Sequence, residues 1–229
     1  MAGRGHFSGK TFDFLRDLAD NNSREWFQAN KGRYEEEVKG PALCFIQDFS
    51  ERLNTLSPHF RADPRGNGGS LFRIYRDTRF SKDKSPYKTF TGIQFRHERA
   101  KDAHAPGFYL HLEPKQCFVG LGIWHPDGPT VRKLREGLVE DADGWKKAVA
   151  GSSFKKRLSL SGDSLVRAPR GFDPEHPLIE DIKRKDFIAA APLTMKQVTQ
   201  PGFIKEYASY CESGKALVAF LCKALGLSF

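Results

Sequence analysis

The chain has 229 residues and a net charge of +9, and 39% of its residues are hydrophobic and 12% aromatic. This apolar content is enough for a core and exceeds that of an intrinsically disordered chain. No apolar run approaches the ~18 residues that a membrane span needs, the first residues lack the apolar region of a signal peptide, and the four cysteines form no C-x-x-C pair, so we expect a cytoplasmic protein without a membrane partner.

The first part of the chain, residues 8–57, is predicted to be helical. Gly40-Pro41 predicts a break followed by a new helix, because proline suits a first helical turn. That helix presents one apolar face with spacings of four, four and three residues, formed by Phe45, Phe49, Leu53 and Leu56.

Residues 70–124 are predicted to be rich in strands. Four segments alternate between apolar and polar residues: Leu71–Arg76, Thr91–His97, Gly107–Glu113 and Gln116–Trp124. The short connections between the last segments favour an antiparallel meander. The longer polar stretch between the first two is typical of a functional loop.

Residues 127–229 return to a helical pattern, with Phe187–Pro192 as a fifth strand or an extended linker. The order of helices, strands and helices predicts an α+β fold. We therefore expect one domain over residues 1–229, with a central antiparallel sheet of four to five strands flanked by the N-terminal and C-terminal helices.

Alternation along the predicted strands gives the sheet two different faces. One is apolar and includes Phe72, Ile74, Ile93 and Phe95. The other collects polar and aromatic side chains, namely Arg73, Tyr75, Gln94, Arg96, Tyr109, His111 and Glu113. A polar sheet face either binds a ligand or contacts water, and the scarcity of acids on this face is what favours a ligand.

Positive charge is concentrated around the first predicted strand. Residues 65–101 contain ten lysines and arginines and three acids, so most of the net charge lies in this quarter of the chain. A local field of this kind attracts anions.

The segment RIYRDTRFSKDKSPYK (residues 73–88) resembles the motif R-x-x-R-D-x-R-F-x-x-x-K-x-x-Y of a bacterial conserved-hypothetical family, domain of unknown function 2461. Residues 14–27 are similar to the N-terminal F-L-x-x-L-x-x-N-N-x-x-x-W-F pattern of the same family. The resemblance implies kinship over most of the chain and supplies no reaction.

The candidate site residues follow from the motif and from the polar face. We expect the anion to be held by Arg73, Arg79, Lys84 and Arg96, in a site lined by Tyr87, Tyr109 and Trp124. His111, with Glu113 or Asp77, is the candidate acid–base group. His-x-Glu alone lacks the third ligand of a usual metal site, so no metal is predicted, and no cofactor is indicated.

The alternative for the motif is an internal clasp, in which its arginines pair with Asp77, Asp83 and Glu113 and fix the loop. Three functions follow. The leading one is binding, with or without catalysis, of an anionic or phosphorylated small molecule. The others are a nucleic-acid-binding module, since basic patches with aromatic side chains suit single strands, and a protein-interaction domain with a structural arginine clasp.

Overall fold

The structure is a computed structural model that describes residues 5–99 and 105–229. The N-terminal helices are α1 (Gly9–Asp20), α2 (Arg24–Ala29), α3 (Lys31–Tyr34), a π-helical turn (Glu35–Lys39) and α4 (Gly40–Leu56). The later helices are α5 (Gly128–Glu140), α6 (Ala142–Ala150), α7 (Ser152–Arg157), α8 (Ile179–Ile182), α9 (Met195–Val198) and α10 (Phe203–Ala224). Within the described residues, none of these helices is long and apolar enough to cross a bilayer.

The strands are β1 (Phe60–Arg61), β2 (Thr91–His97), β3 (Gly107–Leu112), β4 (Cys117–Ile123), β5 (Ser159–Ser161) and β6 (Phe187–Leu193). They form one antiparallel sheet in the order β1-β2-β3-β4-β6-β5. The α+β fold with a flanked antiparallel sheet is thus confirmed. The two short strands β1 and β5 were not predicted, and the single-domain boundary stays a prediction.

The main core lies on the inner face of the sheet, beneath α4 and α10. Phe95 of β2 is fully buried there, with ring centroids 4.8 Å from Phe49 of α4 and 6.1 Å from Tyr207 of α10. Alternation places Ile93, Phe108 and the other apolar residues of the meander on this same face, as the sequence pattern predicts.

Gly40-Pro41 begins α4 with Pro41 in its first turn, as predicted, but the chain does not break there, contrary to the prediction. The chain remains helical across it because the preceding turn widens into the π-helical segment. Pro41 has no N–H to donate to the carbonyl of Glu37 four residues earlier. The buried hydroxyl of Thr11 donates to that carbonyl instead, at 2.7 Å. A side chain from α1 thus replaces the missing backbone donor.

The predicted strand Leu71–Arg76 is wrong. Leu71 forms only an isolated bridge with Ile93, and Tyr75 one with Tyr87. The chain leaves the sheet after Phe72 because Ile74 is buried in a second apolar cluster, formed with α1, α2 and the turn after α3.

Phe72 consequently lies on the face opposite to the one predicted. Its ring centroid is 5.7 Å from that of Tyr109, on the outer face of the sheet, whereas Leu71 joins the main core. One irregular residue step is enough to reverse which side chain faces the core.

We predict that Phe95→Ala lowers the free energy of unfolding by about 3–5 kcal/mol, because it leaves a cavity between the sheet and two helices. Phe80→Ala is the matched control, since Phe80 is 95% exposed. It should cost less than about 0.5 kcal/mol. Urea unfolding of both variants measures the difference, and similar losses would contradict this account of the core.

Candidate functional site

The outer face of the sheet is the face opposite α4 and α10, and it is centred on Tyr109. The pairing register sets Gln94 of β2 and Gly120 of β4 on either side of Tyr109. In the same way, Phe118 of β4 lies beside His111. This face contains the polar and aromatic positions of the meander that the sequence separates from the core.

Tyr109, His111 and Glu113 form a hydrogen-bonded chain along β3, hereafter the Tyr–His–Glu chain. The Tyr109 hydroxyl is 2.9 Å from His111 Nδ1, and His111 Nε2 is 3.3 Å from Glu113 Oε2. A carboxylate only accepts hydrogen bonds, so Nε2 carries the imidazole proton and Nδ1 accepts the phenol proton. Thr89 also donates a 3.4 Å hydrogen bond to the other oxygen of Glu113.

Two aromatic rings enclose His111. The Phe90 and Phe118 centroids lie 4.5 and 4.7 Å from the imidazole, and both rings stack on it. This burial lowers the pKa of His111, although Glu113 acts in the opposite direction. Burial also raises the pKa of Tyr109. Near neutral pH the Tyr–His–Glu chain therefore contains a neutral imidazole between a protonated phenol and a carboxylate.

Half of the arginine motif is internally paired. In the basic loop, defined as residues 76–85, Arg79 binds Asp77 through hydrogen bonds of 3.0 and 2.7 Å, and Arg76 pairs with Asp83. The bonds from Arg79 lower the pKa of Asp77 to about 2. Lys84 Nζ donates to the carbonyl of Thr78 at 2.9 Å. These contacts include two of the pairings that the alternative interpretation expects, Arg76 with Asp83 and Arg79 with Asp77, whereas Glu113 contacts His111 and no described arginine.

Arg73 of the motif and Lys88, which directly follows the motif, have no ion pair with any residue that the structure describes. Lys88 Nζ donates to the Arg73 carbonyl at 2.8 Å and lies 5.5 Å from the Phe72 ring centroid. Burial lowers the pKa of Lys88, and the charge of Arg73 lowers it further. We call Arg73 and Lys88 the cation pair.

The cation pair and the Tyr–His–Glu chain meet at one aromatic ring. Phe72 contacts Lys88 on one side and Tyr109 on the other. The backbone of β2 passes close beneath, and a side chain on Gly92 would bring its Cβ within 2.7 Å of the Tyr109 hydroxyl. Glycine at this position therefore allows Tyr109 to lie against the sheet next to Phe72.

The remaining predicted residues lie elsewhere. Tyr87 is buried and stacks on Phe27 at 4.1 Å, so its ring offers no surface to a ligand. Arg96 donates to the carbonyl of Gly68 at 3.1 Å and so contacts the glycine-rich loop of residues 66–69. Trp124 is 55% exposed and stacks on His125 at 4.1 Å, beyond the end of β4.

Sequence reasoning did not select Phe72 or the rings around His111 as members of a site. The contact of Phe118 with His111 could be predicted from the sequence, because a tight turn at residues 113–116 fixes the β3–β4 register and sets Phe118 opposite His111. The contact of Phe72 with Tyr109 could not be predicted, since it requires the chain to leave the sheet. Within residues 5–99 and 105–229, no three His, Cys, Asp or Glu side chains gather as metal ligands.

Comparison with protein families gives one match. The family model described as "Conserved hypothetical protein (DUF2461)" matches residues 10–220, which include the whole sheet, the cation pair and the Tyr–His–Glu chain. Searches of the curated proteins and of the solved structures found no match.

We predict that the protein loses stability as the pH falls below 6.5, the ordinary pKa of histidine, because folded His111 binds a proton more weakly than the unfolded chain does. The loss is complete once the pH is below the folded-state pKa. Urea unfolding at about pH 7.5 and about pH 5.5 should show a smaller difference for His111→Phe than for wild type.

Glu113→Gln provides an independent test of the same chain. Removing the carboxylate that raises the His111 pKa should lower that pKa further, which an NMR titration of the imidazole protons would show. A higher pKa in the variant would mean that Glu113 does not contact His111 in solution.

Proposed function

We propose that this chain, which belongs to the conserved hypothetical protein family DUF2461, binds an anionic or phosphorylated small molecule on the outer face of its sheet. One observation carries the proposal. Two neighbouring cations, Arg73 and Lys88, form no ion pair with a described acidic residue, and Phe72 connects Lys88 to Tyr109 of the Tyr–His–Glu chain. A bound anion supplies the missing countercharge.

The energetics of the cation pair support this assignment. Lys88 is half-buried beside a second positive charge, and both effects disfavour its charged form. An anion between Arg73 and Lys88 offsets both effects, and guanidinium offers two parallel donors to a phosphate or carboxylate. The arginines of the basic loop already have this compensation from Asp77 and Asp83.

The Tyr–His–Glu chain gives the same site a means of moving one proton. When the Tyr109 oxygen takes a proton from the ligand, its own phenol proton passes to His111 Nδ1. Tyr109 remains a neutral phenol after this exchange, and the imidazolium that forms is stabilised by the Glu113 carboxylate on its other side. Because Tyr109 is protonated and His111 neutral near pH 7, each group begins in the state that this step requires.

We predict that Lys88→Met and Arg73→Gln each weaken binding of the active anion by about tenfold or more, because each removes one charge-assisted contact. Arg79→Gln is the matched control, since Arg79 is exposed and paired with Asp77. Thermal shifts with inorganic phosphate, sugar phosphates, nucleotides and dicarboxylates identify the ligand. Calorimetric titration then gives the dissociation constants.

Loss of binding in Arg79→Gln alone would place the anion at the basic loop instead. No thermal shift of the wild type with any member of the panel would contradict the proposal. A large loss of stability in Lys88→Met, without any ligand response in the wild type, would show that the cation pair is structural.

A second candidate function, single-stranded nucleic-acid binding, is favoured by the basic loop. Phe80 projects from this loop with 95% of its surface exposed, and the Arg79 guanidinium lies 5.9 Å from its ring. An exposed ring among basic side chains is typical of surfaces on which bases stack.

For this second function we predict that Phe80→Ala weakens oligonucleotide binding by about 1–3 kcal/mol, the contribution of one stacked base. Fluorescence anisotropy with a labelled oligonucleotide measures the affinity, which should also fall steeply with salt. Unchanged affinity in Phe80→Ala would exclude the loop as a stacking surface.

A further inference from the structure

A cavity separate from the outer face of the sheet lies where β4 passes into α5. It is a cavity of about 370 Å³ lined by His125, Pro126, Gly128, Val131, Arg135 and Lys185. Its lining includes neither the cation pair nor the Tyr–His–Glu chain. Three of the six lining residues carry basic side chains, and none of the three belongs to the site on the outer face.

His125 is held in place by a buried carboxylate. Asp186, which is 1% exposed, accepts hydrogen bonds from the His125 backbone N–H at 2.8 Å and from the His125 Nδ1 at 2.9 Å. Since the carboxylate cannot donate, Nδ1 carries the proton and Nε2 is left for contact with a ligand. The His125 side chain is 54% exposed, so its ring is accessible.

The backbone is strained to reach this arrangement. His125 has φ 48°, the one positive φ outside glycine among the described residues. Such a conformation is uncommon outside glycine and persists where surrounding contacts impose it. Asp186 imposes it here, because the same carboxylate holds both the backbone and the ring of His125.

The carboxylate itself is built into the fold. Its second oxygen accepts the Asp163 N–H at 3.0 Å. Burial would raise the pKa of Asp186, but the backbone N–H groups of Asp163 and His125 outweigh burial and lower it. At Gly162, with φ 94°, a side chain would place Cβ 2.4 Å from the Asp186 Cβ, so glycine is required there.

Arg135 supplies a positive charge that no described residue neutralises. One of its terminal N–H groups donates to the Arg184 carbonyl at 3.0 Å, while its Nε is buried without an acceptor in the described part of the chain. A buried donor is normally hydrogen-bonded to a protein group, a water molecule or a ligand. Lys185 is exposed at the cavity and makes no ion pair with a described residue, whereas Asp127 accepts the Thr130 N–H and caps α5.

We propose that this cavity binds a phosphate monoester. Arg135 and Lys185 hold the phosphate oxygens, and His125 Nε2 accepts a hydrogen bond from the phosphate hydroxyl. The apolar lining residues Pro126 and Val131 contact the ester group. The site is independent of the outer face, because none of its residues belongs to the cation pair.

The alternative role of Arg135 is structural, with its guanidinium joining α5 to the segment before β6 and a water molecule accepting from Nε. The two roles differ in what Lys185 does. The Lys185 side chain is exposed and makes no ion pair with a described residue, while its backbone N–H donates to the Asp163 carbonyl at 2.8 Å. Lys185→Gln should therefore affect binding without affecting folding.

The test is a calorimetric titration with two probes, inorganic phosphate and phenyl phosphate. Arg135→Gln and Lys185→Gln should each raise the dissociation constant by about tenfold or more, as expected for loss of a charge-assisted contact. Arg132→Gln is the matched control, because Arg132 lies on the same helix, is 74% exposed and pairs with Glu136. It should change the constant by less than about twofold.

One further comparison makes the outcome decisive. The titration is repeated in Lys88→Met, where binding at this cavity should persist because Lys88 does not line it. The proposal fails if wild type binds neither probe saturably, if Lys185→Gln binds like wild type, or if Arg132→Gln weakens binding as much as Lys185→Gln does.

Discussion

The antiparallel register of the β2–β3–β4 meander is the constraint on which the rest of the structure depends. By setting Tyr109 between Gln94 and Gly120, it sends Phe95 and its neighbours inward under α4 and α10. The same register brings Phe118 against His111 on the outer face. A slip of one residue would bury the Tyr–His–Glu chain and expose the core, so the burial of apolar area also fixes the polar geometry.

Charge compensation divides the arginine motif into two parts with different physical roles. Arg76 and Arg79 have carboxylate partners inside the basic loop, and exposed pairs of this kind contribute little to stability. Arg73 and Lys88 have no such partner among the described residues, and Lys88 loses hydration as well. The clasp contacts and the proposed anion site are therefore compatible interpretations, because different residues of the segment 73–88 would serve each.

Sequence patterns predicted the strands that local alternation of polar and apolar residues controls. They failed where contacts between residues distant in the sequence determine the structure. Thr91–His97 begins and ends as predicted because its two faces differ sharply in polarity. The segment after Leu71 alternates too, yet Ile74 is drawn into the second apolar cluster and the strand ends. The Thr11 hydroxyl that keeps the helix intact at Pro41 comes from another helix. Likewise, Asp186 is 61 residues from His125, a separation that no local pattern bridges.

Two histidines in this chain are each oriented by a carboxylate, and their surroundings give them different chemistry. His111 is enclosed by Phe90 and Phe118 and offers its free nitrogen only to Tyr109, so a ligand on the outer face would exchange protons with the phenol. His125 is half-exposed, and its Nε2 can contact a ligand directly. Burial thus determines which atom can exchange a proton with a ligand at each histidine. At His111 this atom is the Tyr109 oxygen, and at His125 it is Nε2.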